Sequence, residues 1–250
     1  MRFNLIFDLD GVVYLGNQAI PGAGETLERL EAAGHNIVFC TNNSSRTRAQ
    51  SAEKIQRVTG YSARADQIAS SAMAAGRLIE PSARVLRVGG DGVAEAISLA
   101  GAEEVTGMDA DTVVVGVDFS FDYDLLDRAA AAVRSGARFI ATNRDVTYPS
   151  PSGLRPGAGS IVAAVEAASG IVPVNAGKPE ATMRELLSEM LIDGPVMMIG
   201  DRPDTDLAMA DVEGWRSVLV ETGVTPAEVI VDPAPTHRIA SIVAVPGLIG

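Results

Sequence analysis

The chain has 250 residues, a length that allows an extended hydrophobic core and often includes a second domain. Hydrophobic residues make up 47% and charged residues 21%, which is typical of a globular protein and excludes a wholly disordered one. The formal net charge of −12 disfavours binding to nucleic acid or to an anionic membrane, because like charges repel and the sequence has no basic stripe. An anionic substrate would therefore need local positive charge.

The cysteine count and the hydropathy pattern indicate the class of protein. Cys40 is the single cysteine, so no intrachain disulfide can form. The apolar run at residues 3–7 is cut short by Asp8 and Asp10, unlike a secretory signal. No stretch approaches the roughly 20 apolar residues that span a bilayer. We therefore expect a soluble, cytoplasmic protein.

Short apolar runs alternate with helical patterns along the chain. Taken in order, strands are predicted at residues 4–7, 37–40, 85–88, 112–117, 139–141, 196–199 and 217–220. Helices are predicted at residues 24–33, 124–134, 161–168 and 182–190, each followed within a few residues by a glycine that can end it. The alternation predicts an α/β fold with a mostly parallel, doubly wound sheet.

Four polar segments stand where strands are predicted to end. They are residues 8–11, 41–44, 177–179 and 200–206. In open α/β sheets ligands bind beyond the carboxyl ends of the strands, so these segments are candidates for one shared site. Each segment alone is more typical of a turn, a loop or a helix cap than of a functional site. Their occurrence together, each at a strand end, favours the functional interpretation.

The first segment places two carboxylates close together. Asp8 and Asp10 share a site if the chain curls, and Gly11 permits that curl. One carboxylate can then attack a phosphorus atom while the other protonates the leaving oxygen and later activates water. Carboxylates this close need a counter-ion, and a hard divalent cation is the natural one. The acidic segment that begins at Asp201 can supply a further ligand.

Two other segments suit phosphate binding. Lys178 is one of only two lysines, the other being Lys54, and a lone ammonium beside a glycine and a proline suits a fixed phosphate contact. Thr41 and Asn42 offer a hydroxyl, an amide and backbone N–H groups near a helix start. Positive and negative groups would thus balance locally.

These motifs resemble the haloacid dehalogenase (HAD) phosphatase superfamily and, within it, the NagD-like or p-nitrophenylphosphatase group. The resemblance covers nearly the whole chain and rests on residues 8–14, 41–44, 141–145, 156–159, 177–179 and 200–206. It implies a Rossmann-like HAD core with a smaller inserted α/β cap. It further implies a phosphomonoester hydrolase that forms an aspartyl-phosphate intermediate.

The resemblance also implies individual roles at the first segment. Asp8 would be the nucleophile, and Asp10 the general acid and base. Mg²⁺ would be held by Asp8, by the backbone carbonyl of Asp10 and by Asp201.

The phosphate contacts are implied in the same way. Thr41, Asn42, Asn43 and Lys178 would hold the phosphoryl group. Asp206 would support these groups without itself binding the metal.

Spacing locates the cap between the second and third segments. Between Asp8 and Thr41 there is room only for a flap, one helix and a strand, whereas residues between Thr41 and Lys178 suffice for a separate α/β unit. We therefore predict a cap at residues 80–172 and a core formed by residues 1–79 and 173–250. In NagD-like proteins, by resemblance, the cap closes over the active site.

Other functions use similar residues. A phosphotransferase or phosphomutase has the same paired aspartates, but such relatives usually carry a cap after the first motif, where this chain has no room. Asp10 argues against a dehalogenase, which needs no proton donor there. A non-catalytic phosphate-responsive module would also use an acidic magnesium site, a threonine and a lysine, but it would hardly need a cap.

The substrate is predicted only as a class. The cap has no charge cluster that selects among phosphoglycolate, glycerol phosphate, sugar phosphates, nucleotides and pyridoxal phosphate. We place selectivity in residues 143–159, with Tyr148 as the first candidate, because its ring offers an apolar face and a hydroxyl together. A homodimer is plausible by resemblance.

Overall fold

The computed structural model describes residues 1–150 and 153–249. In that part of the chain the strands are β1 (Asn4–Phe7), β2 (Tyr14–Leu15), β3 (Gln18–Ala19), β4 (Asn36–Thr41), β5 (Ile68–Ser70), β6 (Arg84–Val88), β7 (Glu103–Val105), β8 (Thr112–Val115), β9 (Arg138–Ala141), β10 (Thr147–Ser150), β11 (Gly153–Pro156), β12 (Val174–Asn175), β13 (Val196–Gly200), β14 (Arg216–Val220) and β15 (His237–Ile239). The α-helices are α1 (Ala23–Ala32), α2 (Arg48–Thr59), α3 (Ser71–Gly76), α4 (Asp91–Leu99), α5 (Tyr123–Arg134), α6 (Ala158–Ser169), α7 (Ala181–Ser188) and α8 (Ala208–Glu213).

The larger sheet has the strand order β15-β14-β13-β1-β4-β5, and all of its neighbouring strands pair in parallel. Strand β1 is central, with β13 on one side and β4 on the other. Parallel pairing puts the carboxyl ends of these three strands at one edge of the sheet. The predicted α/β class with a mostly parallel sheet is confirmed.

The larger sheet is buried on both faces, as a doubly wound sheet must be. Side chains alternate along β1, so Leu5 and Phe7 enter one hydrophobic cluster while Ile6 enters the cluster on the opposite face. All three side chains are fully buried. This explains why the strand is a continuous apolar run rather than an alternating pattern.

The second sheet has the order β12-β9-β8-β6-β7 and is also parallel. A third cluster of buried residues packs α5 and α6 against it, including Val113, Val133 and Val165. The strands of this sheet lie between Arg84 and Asn175. The last of them, β12, thus lies just beyond residue 172, where the predicted cap ends. The division into a core (1–79 and 173–250) and a cap (80–172) stays a prediction.

Several helices begin and end at residues that favour these positions. Thr47 accepts the backbone N–H of Gln50, whose side chain accepts that of Thr47, which caps α2 at its start. Gly60 ends the same helix at φ 85°, and Gly170 ends α6 at φ 76°. Helix α6 begins at Ala158, three residues before the predicted start.

Two antiparallel hairpins lie beside the sheets. Strands β2 and β3 form a flap after the first strand, and β10 pairs with β11. None of the described helices combines the length and the apolar content needed to cross a membrane.

Candidate active site

The edge of the larger sheet gathers the predicted residues. Asp8 directly follows β1, Thr41 ends β4, and Asp201 directly follows β13. Lys178 lies in the segment between β12 and α7, and its side chain is buried beside Asp8. Residues far apart in the chain therefore meet because adjacent parallel strands end together.

A tight turn brings the chain back over this edge. Gly11 has φ 90°, a left-handed conformation that favours glycine. A Cβ atom on Gly11 would lie 2.6 Å from Oδ2 of Asp201, so a side chain there would collide with the site. The Gly11 N–H donates to the Tyr14 carbonyl at 2.8 Å, and Asp10 forms a β-bridge with Tyr14. The predicted curl at Gly11 is confirmed by this geometry.

Lys178 is the charged centre of the buried network. Its Nζ donates to Oδ1 of Asp8 at 2.8 Å, to Oδ1 of Asp206 at 2.7 Å and to the Cys40 carbonyl at 3.0 Å. Burial alone would lower the pKa of Lys178, yet the carboxylates of Asp206 and Asp8 raise it well above the usual value. The ammonium therefore stays charged and holds two carboxylates in place.

Asp201 has the free oxygen that a cation site requires. Its Oδ2 accepts the Val224 N–H at 2.7 Å, whereas its buried Oδ1 has no hydrogen-bond partner among the described residues. Carboxylate oxygens of Asp8, Asp201 and Asp206 lie within 4.8 Å of one another. Burial, followed by the neighbouring Asp8 and Asp206, raises the pKa of Asp201 to about 8. A hard divalent cation with oxygen ligands fits this donor set.

Asp206 belongs to the same cluster but its oxygens are already used. Oδ1 accepts from Lys178, and Oδ2 accepts the backbone N–H groups of Asp201 at 3.2 Å and Arg202 at 3.1 Å. It lies in a wide helical turn, Pro203–Leu207, that follows β13. Burial raises the pKa of Asp206 to about 6. This carboxylate anchors both Lys178 and the loop that carries Asp201.

The segment after β4 is held by side-chain hydrogen bonds. Oγ1 of Thr41 accepts the Asn43 N–H at 3.1 Å. Oδ1 of Asn42 accepts the Lys178 N–H at 2.8 Å, and its Nδ2 donates to Asp145 at 3.2 Å. Oδ1 of Asn43 accepts from the backbone and hydroxyl of Ser45. Asn42 thus links Lys178 to Asp145, which follows strand β9 of the second sheet.

Asp10 lines the same cavity and is influenced by two cations, Lys54 and Arg46, in addition to Lys178. It is partly buried, and burial raises the pKa of its carboxyl group. The cations that lower this pKa are Lys54, Arg46 and Lys178, in that order. A carboxyl group with a raised pKa holds a proton more readily, as a general acid requires.

A cavity of about 300 Å³ joins these groups to the second sheet. Asp8, Asp10, Thr41, Asn42, Asn43, Lys178, Asp201 and Tyr148 all line it. Asn143 and Asp145 line it as well, whereas the Arg144 side chain pairs with Glu166 at 2.7 Å. Within the predicted selectivity segment, residues 151 and 152 lie outside the described residues. All the predicted catalytic and binding residues therefore meet at one cavity.

Comparisons with known proteins agree with this geometry. Residues 5–103 match the family model of haloacid dehalogenase-like hydrolases, and residues 175–245 match a second model described as HAD-hydrolase-like. The chain is 36% identical over 244 residues to the 5′-nucleotidase YutF of Bacillus subtilis, covering 95% of this chain and 94% of that protein. The chain belongs to the haloacid dehalogenase-like hydrolase family. The predicted resemblance is thereby confirmed.

Solved structures of HAD phosphatases share the whole architecture. The p-nitrophenyl phosphatase from Archaeoglobus fulgidus is 31% identical with a TM-score of 0.89, and the match covers 98% of both chains. The glycerol phosphate phosphatase from Mycobacterium tuberculosis, solved in complex with magnesium, is 34% identical with a TM-score of 0.85. That match covers 95% of this chain and 74% of the other. The prediction of a phosphatase-type hydrolase of the HAD family is confirmed.

The cavity of this HAD hydrolase contains charged and aromatic residues that sequence reasoning missed as site residues. They are Arg46, Lys54, Phe119, Arg155 and Arg202. From the sequence, Lys54 is notable only as one of two lysines, because the polar pattern of residues 48–59 does not predict helix α2. The capping pair of Thr47 and Gln50, with Gly60 beyond, was the available signal for that helix.

Proposed function

We propose that this protein is a magnesium-dependent phosphomonoesterase that hydrolyses small phosphorylated metabolites through an aspartyl phosphate on Asp8. The observation that carries the proposal is the buried contact of Asp8 with Lys178, next to the unpaired oxygen of Asp201. A nucleophile, a fixed cation and an unpaired carboxylate oxygen thus belong to residues that line one small cavity.

The first half-reaction uses both N-terminal aspartates. A carboxylate oxygen of Asp8 attacks phosphorus, and the bond between phosphorus and the leaving oxygen breaks. Asp10, as the carboxylic acid, donates its proton to that leaving oxygen. The alcohol departs, and the phosphoryl group is left on Asp8 as a mixed anhydride.

The second half-reaction returns the protein to its starting state. Asp10, now a carboxylate, takes a proton from the water that attacks phosphorus. The bond between phosphorus and the Asp8 oxygen breaks, so inorganic phosphate is released and the Asp8 carboxylate is restored. The same group therefore acts first as the acid and then as the base.

The residues that would hold Mg²⁺ are Asp8, the backbone carbonyl of Asp10, and Asp201. The unpaired, buried Oδ1 of Asp201 supports this assignment. The positive charge of bound Mg²⁺ offsets the repulsion between the aspartates and an incoming phosphate dianion. Asp206 keeps Lys178 and the Asp201 loop in position.

The phosphoryl group is held by groups from two other strand ends. Lys178 supplies a fixed positive charge on the side of Asp8. Thr41, Asn42 and Asn43 lie on the wall formed after β4, where hydroxyl and N–H groups suit phosphate oxygens.

The substrate is a small phosphomonoester. A cavity of about 300 Å³ suits a compact metabolite, at the lower end of ordinary ligand sites. The relatives are named as phosphatases of glycerol phosphate, nucleotides and p-nitrophenyl phosphate. We assign selectivity to residues 143–159 of the predicted cap, where Tyr148 lies in the cavity wall. The homodimer and the cytoplasmic location remain predictions.

Single-turnover labelling tests the proposal against its alternatives. Purified protein with Mg²⁺ is mixed with a phosphomonoester that carries labelled phosphate, then quenched in acid. A phosphatase gives a transient acyl phosphate, followed by many turnovers to inorganic phosphate. A phosphate-responsive module gives a stable acyl phosphate or none, and a phosphotransferase passes the label to an alcohol. Asp8→Asn should show no label, and label in that variant would overturn the assignment of the nucleophile.

A further inference from the structure

Lys54 is a buried lysine whose charge the mechanism above does not use. Its side chain lies on α2 and is only 4% exposed, yet it lines the cavity that contains Asp8 and Asp10. Burying an ammonium group costs free energy unless nearby groups compensate for the lost water. Burial lowers the pKa of Lys54 to about 8, although the neighbouring Asp10 carboxylate opposes this shift, so the ammonium group is still mostly charged at neutral pH. A second anion in the cavity would offset more of the cost of burying this charge.

The Tyr14 ring fixes the position of this ammonium. Nζ of Lys54 lies 3.7 Å from the centre of the ring, which is a close cation–π contact. The backbone of Tyr14 in turn forms a β-bridge with Asp10. The ammonium group of Lys54 is thus held against the flap. Its charge lowers the pKa of Asp10, whereas it is not among the groups that shift the pKa of Asp8.

Arg46 is a second cation on the same wall. It is half-buried and lines the cavity, and its charge, like that of Lys54, lowers the pKa of Asp10. Neither Lys54 nor Arg46 takes part in an ion pair within 4 Å among residues 1–150 and 153–249.

In the same cavity, the buried positive charge of Lys178 is compensated by neighbouring protein groups. Two carboxylates and one carbonyl accept hydrogen bonds from its ammonium group. In the proposed mechanism, the Lys178 charge holds the phosphoryl group beside Asp8. Lys54 and Arg46 instead stand on the side of Asp10, where the leaving alcohol must lie if Asp10 protonates it.

We infer that Lys54 and Arg46 form a second anion subsite, which binds a carboxylate or second phosphate on the leaving alcohol of the substrate. This inference rests on the proposed function, because Asp10 defines the leaving-group side. It narrows the substrate class to small phosphomonoesters with two anionic groups. Polyol phosphates and nucleoside monophosphates, which lack the second anion, are then secondary substrates.

A matched pair of substrates tests this subsite. 2-Phosphoglycolate and 2-hydroxyethyl phosphate are similar in size, but only the first has a carboxylate on the leaving alcohol. We expect kcat/KM with Mg²⁺ to favour phosphoglycolate by about 10- to 100-fold, the usual effect of a charged hydrogen bond. Ethanediol bisphosphate, compared with the same neutral substrate, shows whether a phosphate serves equally well.

Variants assign the preference to the two cations. Lys54→Met and Arg46→Gln should each reduce the preference about tenfold, mainly through KM for phosphoglycolate, whereas Lys54→Arg should keep most of it. Arg57→Gln is the matched control, because it removes an exposed positive charge from the same helix without touching this cavity. The preference should be unchanged in that control.

The outcomes separate the subsite from the proposed function. Hydrolysis of hydroxyethyl phosphate and p-nitrophenyl phosphate without a preference for the doubly anionic substrates would overturn the subsite alone. An equal loss on both substrates in Lys54→Met, with the Arg46→Gln preference intact, would do the same. Hydrolysis of none of these substrates would instead overturn the proposed function on which the subsite rests.

Discussion

Lys178 and Asp206 form an ion pair that excludes water: Nζ lies 2.7 Å from Oδ1, and the side chains are 3% and 0% exposed. Removing one partner of such a pair leaves a buried charge without compensation. We expect Lys178→Met to lower the free energy of unfolding by about 3–5 kcal/mol, measured by urea denaturation, because Asp206 and Asp8 both lose their cation.

A double variant separates the lost ion pair from lost packing. Lys178→Met combined with Asp206→Asn should recover part of the stability, since one uncompensated carboxylate is gone. Arg77→Met is the control, because its pair with Glu189 lies at the surface and should cost less than about 1 kcal/mol. If the single and double variants were equally unstable, the pair would not be the cause.

The role assigned to Asp10 predicts a dependence on the leaving group. Asp10→Asn keeps the shape of the side chain but cannot transfer a proton, so kcat should fall about 10²- to 10⁴-fold with alkyl phosphates. Nitrophenolate leaves readily without protonation, and the loss with p-nitrophenyl phosphate should be smaller. Steady-state kinetics across a series of leaving groups measures this difference. An equal loss with every leaving group would remove Asp10 from the role of acid.

The unpaired Oδ1 of Asp201 predicts a metal requirement. A chelator should abolish activity, and Asp201→Ala should raise the Mg²⁺ concentration that gives half-maximal activity. Asp204→Ala is the control, because that side chain is 71% exposed and lies near Arg202 rather than in the cluster. Titrations of activity against Mg²⁺ compare the three proteins. An unchanged requirement in Asp201→Ala would move the ligand role to another carboxylate.

His35 predicts a pH effect on stability that is independent of catalysis. Its Nδ1 accepts the Phe3 N–H at 3.1 Å, which a protonated ring nitrogen cannot do. Burial, and then the charged N-terminus, lowers the pKa of His35 in the folded protein from its usual 6.5. As the pH falls, His35 therefore binds a proton in the unfolded chain at a higher pH than in the folded protein. The stabilising effect of neutral His35 is present above about pH 6.5 and is lost as the pH falls below that value.

The matched variant for this effect is His35→Asn, whose Oδ1 can accept the same N–H. Urea denaturation of both proteins between about pH 5 and 8 isolates the histidine, because the other titrating groups are common to both. As the pH falls, we expect the native protein to lose more of its unfolding free energy than His35→Asn does. A difference that is independent of pH would show that His35 has the same pKa in both states.

Much of the site could be predicted because it depends on strand ends. Buried parallel strands are apolar runs, and Asp8, Thr41 and Asp201 each stand where such a run stops. The sequence therefore indicated which residues meet without any knowledge of loop geometry. The turn at Gly11 could also be predicted, because its left-handed conformation is one that few residues other than glycine adopt.

The remaining features depend on contacts that no local pattern encodes. Strand β12 has only two residues, Val174–Asn175, and its pairing with β9 comes from the sheet rather than from its own sequence. The amide of Asn42 is used by Asp145 and Lys178, which lie more than one hundred residues away. Lys54 sits on a mostly polar helix, so nothing in its neighbours reveals that the flap buries it.

Tyr148 leads to the last prediction, which concerns selectivity. It lies in β10 opposite Arg155, and both residues line the cavity with Asp8. A flat ring at this wall would contact the part of the substrate beyond its phosphate, without changing the carboxylates that would hold Mg²⁺. We therefore expect Tyr148→Ala to change the ranking of kcat/KM among phosphomonoesters by about 1–3 kcal/mol for some of them, while the Mg²⁺ requirement stays the same. Tyr123→Ala is the control, because that tyrosine is 81% exposed and is not part of the cavity wall. A uniform loss across the panel of substrates, or no change, would place selectivity at other residues of the wall.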